Sequence, residues 1–362
     1  MQISADGNQI TMRLPDNWHF HFRQGELLAF LVPICLQYGW RARLVAEPNT
    51  DPAKTNGHMT IAYKVEIETE AKKHPRSEKF EVIPALQITE HTTKEDIYLF
   101  HQLGGRVAKV YPLNVTTNSA NGVYDYIKIY PALAACEALG IRVQFHAQHP
   151  SYDVEGWYKE IRFLELIAEK ILNHFLGLRI SIEHIQSALG VQWVESHSPR
   201  VVAGVTIQHM VQTIDDVIGY SEASGGKGCA HNMYKPHAML LADQAEIIRV
   251  ILAGNPKFFY AGDDAWHFAK NKHCAKIACG AANTLATLAK LTKLFKKHNA
   301  LHLLEPFTSE YGANFYGFPL NEGTLTILRN NWTIDKELAV PGTNEIVIPW
   351  CAGDKEEWQV AA

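Results

Sequence analysis

The chain has 362 residues, 47% of them hydrophobic and 20% charged, with a formal net charge of -4. That length admits two ordinary domains or one large α/β barrel. The weakly acidic balance excludes a basic face of the kind that holds nucleic acid, so a small molecule is the expected ligand. Six scattered cysteines (Cys35, Cys136, Cys229, Cys274, Cys279 and Cys351) form no Cys-x-x-Cys pair. Neither a disulfide framework nor a zinc ribbon is therefore expected, and a reducing cytoplasm is. The start, Met1-Gln2-Ile3-Ser4, has no cationic segment leading into an apolar run, and no stretch is long enough to span a membrane.

Residues 1–14 alternate around Gly7-Asn8 and read as a lead-in strand or small hairpin. Short apolar runs follow near 18–22, 43–46, 80–86, 107–111, 142–146, 179–184, 201–208 and 258–263, which makes eight expected strands. Helical periodicity fills most of the intervals, at 26–38, 97–103, 126–139, 157–175 and 243–252, with Gly39, Gly104 and Gly140 as helix stops. Strands alternating with helices predict a parallel sheet closed into a (β/α)₈ TIM barrel. A doubly wound open sheet is the alternative, although no glycine-rich phosphate turn follows the first strand. Gly225-Gly226-Lys227-Gly228 reads as a surface excursion, and the lysine-rich 290–297 stretch as the solvated face of a helix. From Leu325 onward, short apolar segments read as strands packed outside the barrel. The expected organisation is one barrel domain over 1–362, with lead-in strands at 1–14, barrel at 15–324 and a C-terminal extension at 325–362.

Barrel enzymes carry their chemistry at the carboxyl ends of the strands. His19 and His21, one residue apart in an extended segment, project to the same side and offer two imidazoles to one metal ion. An isolated His-x-His is explained as well by a half-buried strand. Here the other strand ends supply Glu47-Pro48-Asn49, Lys109, His146, Glu183-His184 and Asp263, with His267 just beyond. So many ligand types at one mouth favour a metal centre. The polar 113–123 loop lies above that mouth, where loops close over substrate, which makes Thr116 and Thr117 candidate contacts.

The ordered combination resembles the shorter, monofunctional dihydroorotases of the amidohydrolase superfamily. It is carried by His19-x-His21-x-Arg23, Pro48-Asn49, Ala108-Lys109-Val110-Tyr111-Pro112 with Asn114-Val115-Thr116-Thr117-Asn118-Ser119, His146, Glu183-His184, and Asp263 with His267 four residues later. The resemblance implies a centre of two divalent ions, usually zinc. His19, His21 and Asp263 would hold one ion and His146 and His184 the other, with Lys109 bridging both as a carbamate formed from CO₂. It also implies Asp263 as proton shuttle, and Arg23, Asn49 and His267 around a substrate carboxylate. Further contacts would come from Thr116, Thr117, Lys235 and Cys279. The implied reaction interconverts N-carbamoyl-L-aspartate and L-dihydroorotate in pyrimidine synthesis. Homodimerisation is a family expectation that no sequence feature demonstrates.

The chain departs from the family pattern at two places. Glu47 stands where a methionine is usual, and Ala261-Gly262-Asp263-Asp264-Ala265-Trp266-His267 replaces Gly-Thr-Asp-Ser-Ala-Pro-His. Two other readings stay open at this level: a hydantoinase-like or dihydropyrimidinase-like hydrolase, and a catalytically weak barrel acting in binding or assembly.

Overall fold

A computed structural model describes residues 1–361; Ala362, the last residue of the expected extension, lies outside them. Two short strands, β1 (Gln2–Ile3) and β2 (Gln9–Arg13), form the lead-in hairpin. The barrel strands follow as β3 (Asn17–His21), β4 (Arg43–Ala46), β5 (Glu81–Ile88), β6 (Val107–Val110), β7 (Arg142–His146), β8 (Ile180–Glu183), β9 (Val201–Val205) and β10 (Phe258–Tyr260). All are parallel, each paired with its neighbour in sequence order. Closure is made by β11 (Asp264–Ala265), which continues the β10 segment and pairs with β3, setting Asp264 opposite Phe20 and Ala265 opposite His21. The eighth strand is therefore one stretch interrupted at Ala261–Asp263, and the interruption falls on the expected catalytic aspartate.

Alternation along each strand divides the core in two. Leu44, Ala46, Ala108, Val110, Val143, Phe145, Ile180 and Ile182 face the surrounding helices. Val45, Val107, Val202 and Phe259 face inward and meet Trp18, Phe315 and Tyr316, which plug the bottom of the barrel. Trp18 stacks on Tyr316 with ring centroids 4.5 Å apart. By the same period, the next inward positions up the barrel are Glu47 and Lys109, so the apolar floor sets the depth of the polar layer above it. In β3 the register shifts between Asn17 and Phe20. That irregularity lets Trp18 join the floor while His19 and His21 face the mouth and Phe20 and Phe22 pack outward.

Several expected boundaries move for local reasons. The strand expected over 201–208 stops at Val205, because the Thr206 side chain accepts a hydrogen bond from His209 N and starts the helix Ile207–Val211. The helix expected over 157–175 divides into a 3₁₀ turn, an α segment, a π segment (Leu164–Ala168) and a last α segment. Gly57–Ala71 forms a helix capped by Asn56, whose side chain accepts from Met59 N at 3.0 Å. Its apolar residues do not gather on one face, which is why periodicity does not signal it. The C-terminal strands β12 (Thr324–Thr333), β13 (Leu338–Ala339), β14 (Ile346–Val347) and β15 (Lys355–Val360) lie outside the barrel as expected. β12 sits between β2 and β15, so the two ends of the chain share one antiparallel sheet. Among the described residues, no helix is long and apolar enough to cross a membrane.

Candidate metal centre and active site

At the carboxyl ends of the strands lies a narrow pocket lined by His19, His21, Arg23, Asn49, Tyr111, Thr116, Thr117, His146, Lys235, Asp263 and Cys279. Its innermost group is tight. His19 Nε2 stands 3.3 Å from His21 Nε2 and 3.2 Å from Asp263 Oδ1, and His21 Nε2 is 3.1 Å from the same oxygen. Two ligands at 2.0–2.1 Å from one tetrahedral zinc are separated by about 3.3 Å. The three atoms thus have the mutual spacing that three ligands of one such ion would have, and all three residues are buried.

Asp263 reaches this position through unusual backbone. Its φ is 46°, in the left-handed region, as are those of His184 (45°) and Arg23 (64°). Non-glycine residues hold such conformations at a cost of about 1–3 kcal/mol, which the surroundings must supply. Here Asn17 Oδ1 accepts from Gly262 N at 2.7 Å, and Asn283 Nδ2 donates to Gly262 O at 2.8 Å, clamping the residue before Asp263 from both sides. The family's threonine at 262 has no room in this chain, because a Cβ there would collide with the Tyr260 hydroxyl and the Asn17 side chain. Asp264 accepts from Asn283 N and Thr284 Oγ1, tying the 283–284 segment to β11.

The left-handed turn at His184 breaks strand alternation, so Glu183 and His184 both face the centre. Glu183 accepts from Ser181 Oγ at 2.6 Å and meets His19 Nδ1 at 2.9 Å. A carboxylate on Nδ1 fixes that ring with Nε2 toward a metal. His146 and His184 form a second imidazole pair with centroids 4.4 Å apart, and His146 Nε2 meets Gln148 Oε1 at 3.0 Å. Both ring nitrogens of His184 are buried without a hydrogen-bond partner. Unpartnered polar atoms of this kind are costly in a finished interior, and the unprotonated nitrogen fits a site that receives an ion. The roles of Glu183 and Gln148 are not visible in ligand spacing, although alternation from Ser181 would have turned Glu183 inward.

Electrostatics prepare the pocket for a cation. Burial, then the Lys109 charge, push His146 down to about 3. Burial and His146 hold His184 well below the usual imidazole range, and burial also lowers His21. These rings are therefore neutral, as ligation demands. At His19, burial is outweighed by the Glu47 and Asp263 carboxylates, which push it up to about 9. The same contacts hold Asp263 well below the usual carboxylate range against its burial. Positive charge is favoured where these groups meet.

The remaining expected residues fall into two groups. Arg23 Nε donates to Trp266 O at 2.8 Å, and its Nη2 lies 3.0 Å from His267 Nε2, which is itself 3.1 Å from Cys279 O. His267 is neutral, pushed down to about 2 by burial and the Arg23 charge. Over the mouth, the loop is latched in several places. Asn49 Nδ2 donates to Thr117 O, Asn118 Nδ2 to Asn49 O, Thr117 Oγ1 to Cys279 O and Lys235 Nζ to Val115 O. Lys109 is buried beneath the pocket, 3.4 Å from His19 Nδ1 and 3.1 Å from Glu47 Oε2.

A closed parallel barrel with His19, His21 and Asp263 clustered at its mouth and Arg23 beside them has the layout of a barrel enzyme whose chemistry sits at the carboxyl ends of the strands. No family model matches the chain. A dihydroorotase of Vibrio vulnificus (strain YJ016) is 32% identical over 358 residues, covering 97% of this chain and 99% of that protein. One of Vibrio parahaemolyticus is 33% identical over 358 residues, with the same coverage. The structure of a Saccharomyces cerevisiae dihydroorotase in complex with 5-fluoroorotic acid superposes with a TM-score of 0.87 at 26% identity, covering 98% of each chain. An Arthrobacter aurescens L-hydantoinase shares the fold, with a TM-score of 0.76 at 14% identity over 98% of this chain and 83% of that one. The chain belongs to the dihydroorotase family.

Proposed function

We propose that the protein hydrolyses the ring amide of L-dihydroorotate to N-carbamoyl-L-aspartate and runs the reverse cyclisation in pyrimidine synthesis, using two divalent metal ions, zinc in the cell. The observation that carries this reading is the close triangle of ligand atoms formed by His19, His21 and Asp263, with Arg23 two residues beyond His21 on the same strand end. His146 and His184 would hold the second ion. When bound, the ions would polarise the amide carbonyl and acidify water at neutral pH.

The chain's own groups supply the rest. The Asp263 carboxylate, kept ionised by the imidazoles around Oδ1, accepts the proton of the attacking water on its other oxygen and passes it to the departing ring nitrogen. Arg23 presents a guanidinium to the substrate carboxylate, with Asn49 and His267 as its neighbours. Thr116 and Thr117 lie on the latched loop and cover the substrate, and Lys235 and Cys279 hold that loop from the opposite rim. The family's carbamate on Lys109 meets a different environment in this chain, where a carboxylate already stands beside Nζ. The reading includes a cytoplasmic location and a homodimer, the latter checked by light scattering at twice the chain mass.

The direct test is ring opening of dihydroorotate by the purified protein before and after chelation. Activity should vanish with the metal and return on adding zinc. Ring opening at full rate after complete metal removal would refute the proposal.

A further inference from the structure

Glu47 is one of the two departures from the family pattern, and the fold gives it a place. Alternation along β4 turns Val45 into the barrel floor and Glu47 into the polar layer directly above it. The side chain is fully enclosed there, as is that of Lys109. One carboxylate oxygen, Oε2, lies 3.1 Å from Lys109 Nζ and accepts the Tyr111 hydroxyl at 2.5 Å. The other, Oε1, has no hydrogen-bond partner and points toward His19 Nε2 at 3.9 Å. A buried carboxylate oxygen without a partner costs several kcal/mol unless a cation completes it.

The lysine carbamate of the family would compete for this space. Its oxygens would lie roughly 2.2 Å from Nζ, given ordinary amide bond lengths. Glu47 Oε2 stands 3.1 Å from the same nitrogen, so a carbamate oxygen on that side would meet it well inside oxygen–oxygen contact. A carbamate would also place a second anion against an enclosed carboxylate, an arrangement that like-charge repulsion in a dry site opposes. A methionine at position 47 would present neither obstacle.

We propose that Glu47 is a metal ligand that supplants the lysine carbamate. Oε1 supplies the anionic oxygen on the His19 side of the centre. Lys109 stays unmodified and, with the Tyr111 hydroxyl, acts as a positioning residue that holds Oε2 and so aims Oε1. The strand-two carboxylate thereby takes the place of a group that elsewhere must be built from CO₂ on strand four. This inference rests on the metal-dependent reading above and alters only the identity of the anionic ligand.

The test uses the intact protein loaded with zinc and equilibrated with ¹³C-bicarbonate. Metal content is measured by elemental analysis and protein-bound carbamate by ¹³C NMR. The expected result is bound zinc, no carbamate resonance, and zinc content independent of bicarbonate. In parallel, Glu47→Gln, checked for folding by circular dichroism, should lose at least half of the zinc. A carbamate resonance in the zinc-loaded wild type, or full zinc in the folded Glu47→Gln variant, would overturn the inference while leaving the metal-dependent reading intact. Wild-type protein that binds no zinc would overturn both. The wild-type labelling measurement stands even where the variant does not fold.

Discussion

Arg23 sits two residues after the second imidazole of the pair, yet its left-handed φ of 64° takes it out of line with His19 and His21 and over to Trp266 and His267. Its assigned task is the substrate, so Arg23→Met should raise KM for dihydroorotate about tenfold to a hundredfold, the range expected for losing a charged hydrogen bond. Zinc content should be unchanged, and its loss would place Arg23 with the metal instead. Asp263→Ala removes both a ligand atom and the proton acceptor. Its kcat should fall by at least about a thousandfold, and near-normal turnover in a steady-state assay would refute the assignment. The polar residue types at the strand ends were legible in the sequence because histidine, lysine and aspartate are conspicuous against apolar runs. Glu47 read only as a departure, since its partner Lys109 lies two strands away and no local spacing links them.

The elements turn those residues into a site by fixing backbone and closing the mouth. The 113–123 loop is held by Asn118 Nδ2 on Asn49 O and Asn49 Nδ2 on Thr117 O, a reciprocal pair between the second and fourth strand ends. Asn118→Ala removes one half of it and should raise KM a few-fold with smaller change in kcat, in line with about 1 kcal/mol per hydrogen bond. Unchanged KM would mean that the loop does not cover substrate. Away from the site, Glu160 accepts from Gln186 N and Ser187 N and so fixes Ser187, whose side chain caps the helix Ala188–Ser196. Burial outweighs these bonds and pushes Glu160 up to about 7. Its folded pKa exceeds its unfolded value, so the folded state binds the extra proton and the stability it contributes declines as pH rises from about 4.5 to about 7. Glu160→Gln should flatten that decline by on the order of 2–3 kcal/mol, read from denaturant midpoints at pH 5 and 7.5. Identical slopes in variant and wild type would contradict this. Strands β4 and β7 fall where the apolar runs place them, because their side chains carry the pattern. The Gly57–Ala71 helix and the break after Val205 depend on caps and tertiary packing, which periodicity does not report.

At the scale of the whole molecule, the eighth strand both closes the barrel and carries the centre. Its first part pairs with β9 and its last part with β3, so Asp263 lies in the gap that closure creates. An ion held by His19, His21 and Asp263 would tie the first strand to the eighth. Chelation should therefore lower the thermal midpoint as well as activity, by the linkage between binding and folding, and zinc should restore both. Barrel class and strand order were readable from the alternation of strands and helices. The division of β10 from β11 was not, since it is set by Asn17, Asn283 and Gly262 meeting across distant segments. As proposed above, the whole molecule is a metal-dependent cyclic amide hydrolase made selective for an acidic ring by Arg23. The most direct measurement compares kcat/KM for dihydroorotate, dihydrouracil and hydantoin with the zinc-loaded protein. Turnover of dihydroorotate should exceed that of the two uncharged rings by at least about a hundredfold; clear turnover of hydantoin or dihydrouracil with none of dihydroorotate would rule out a site built for an acidic ring.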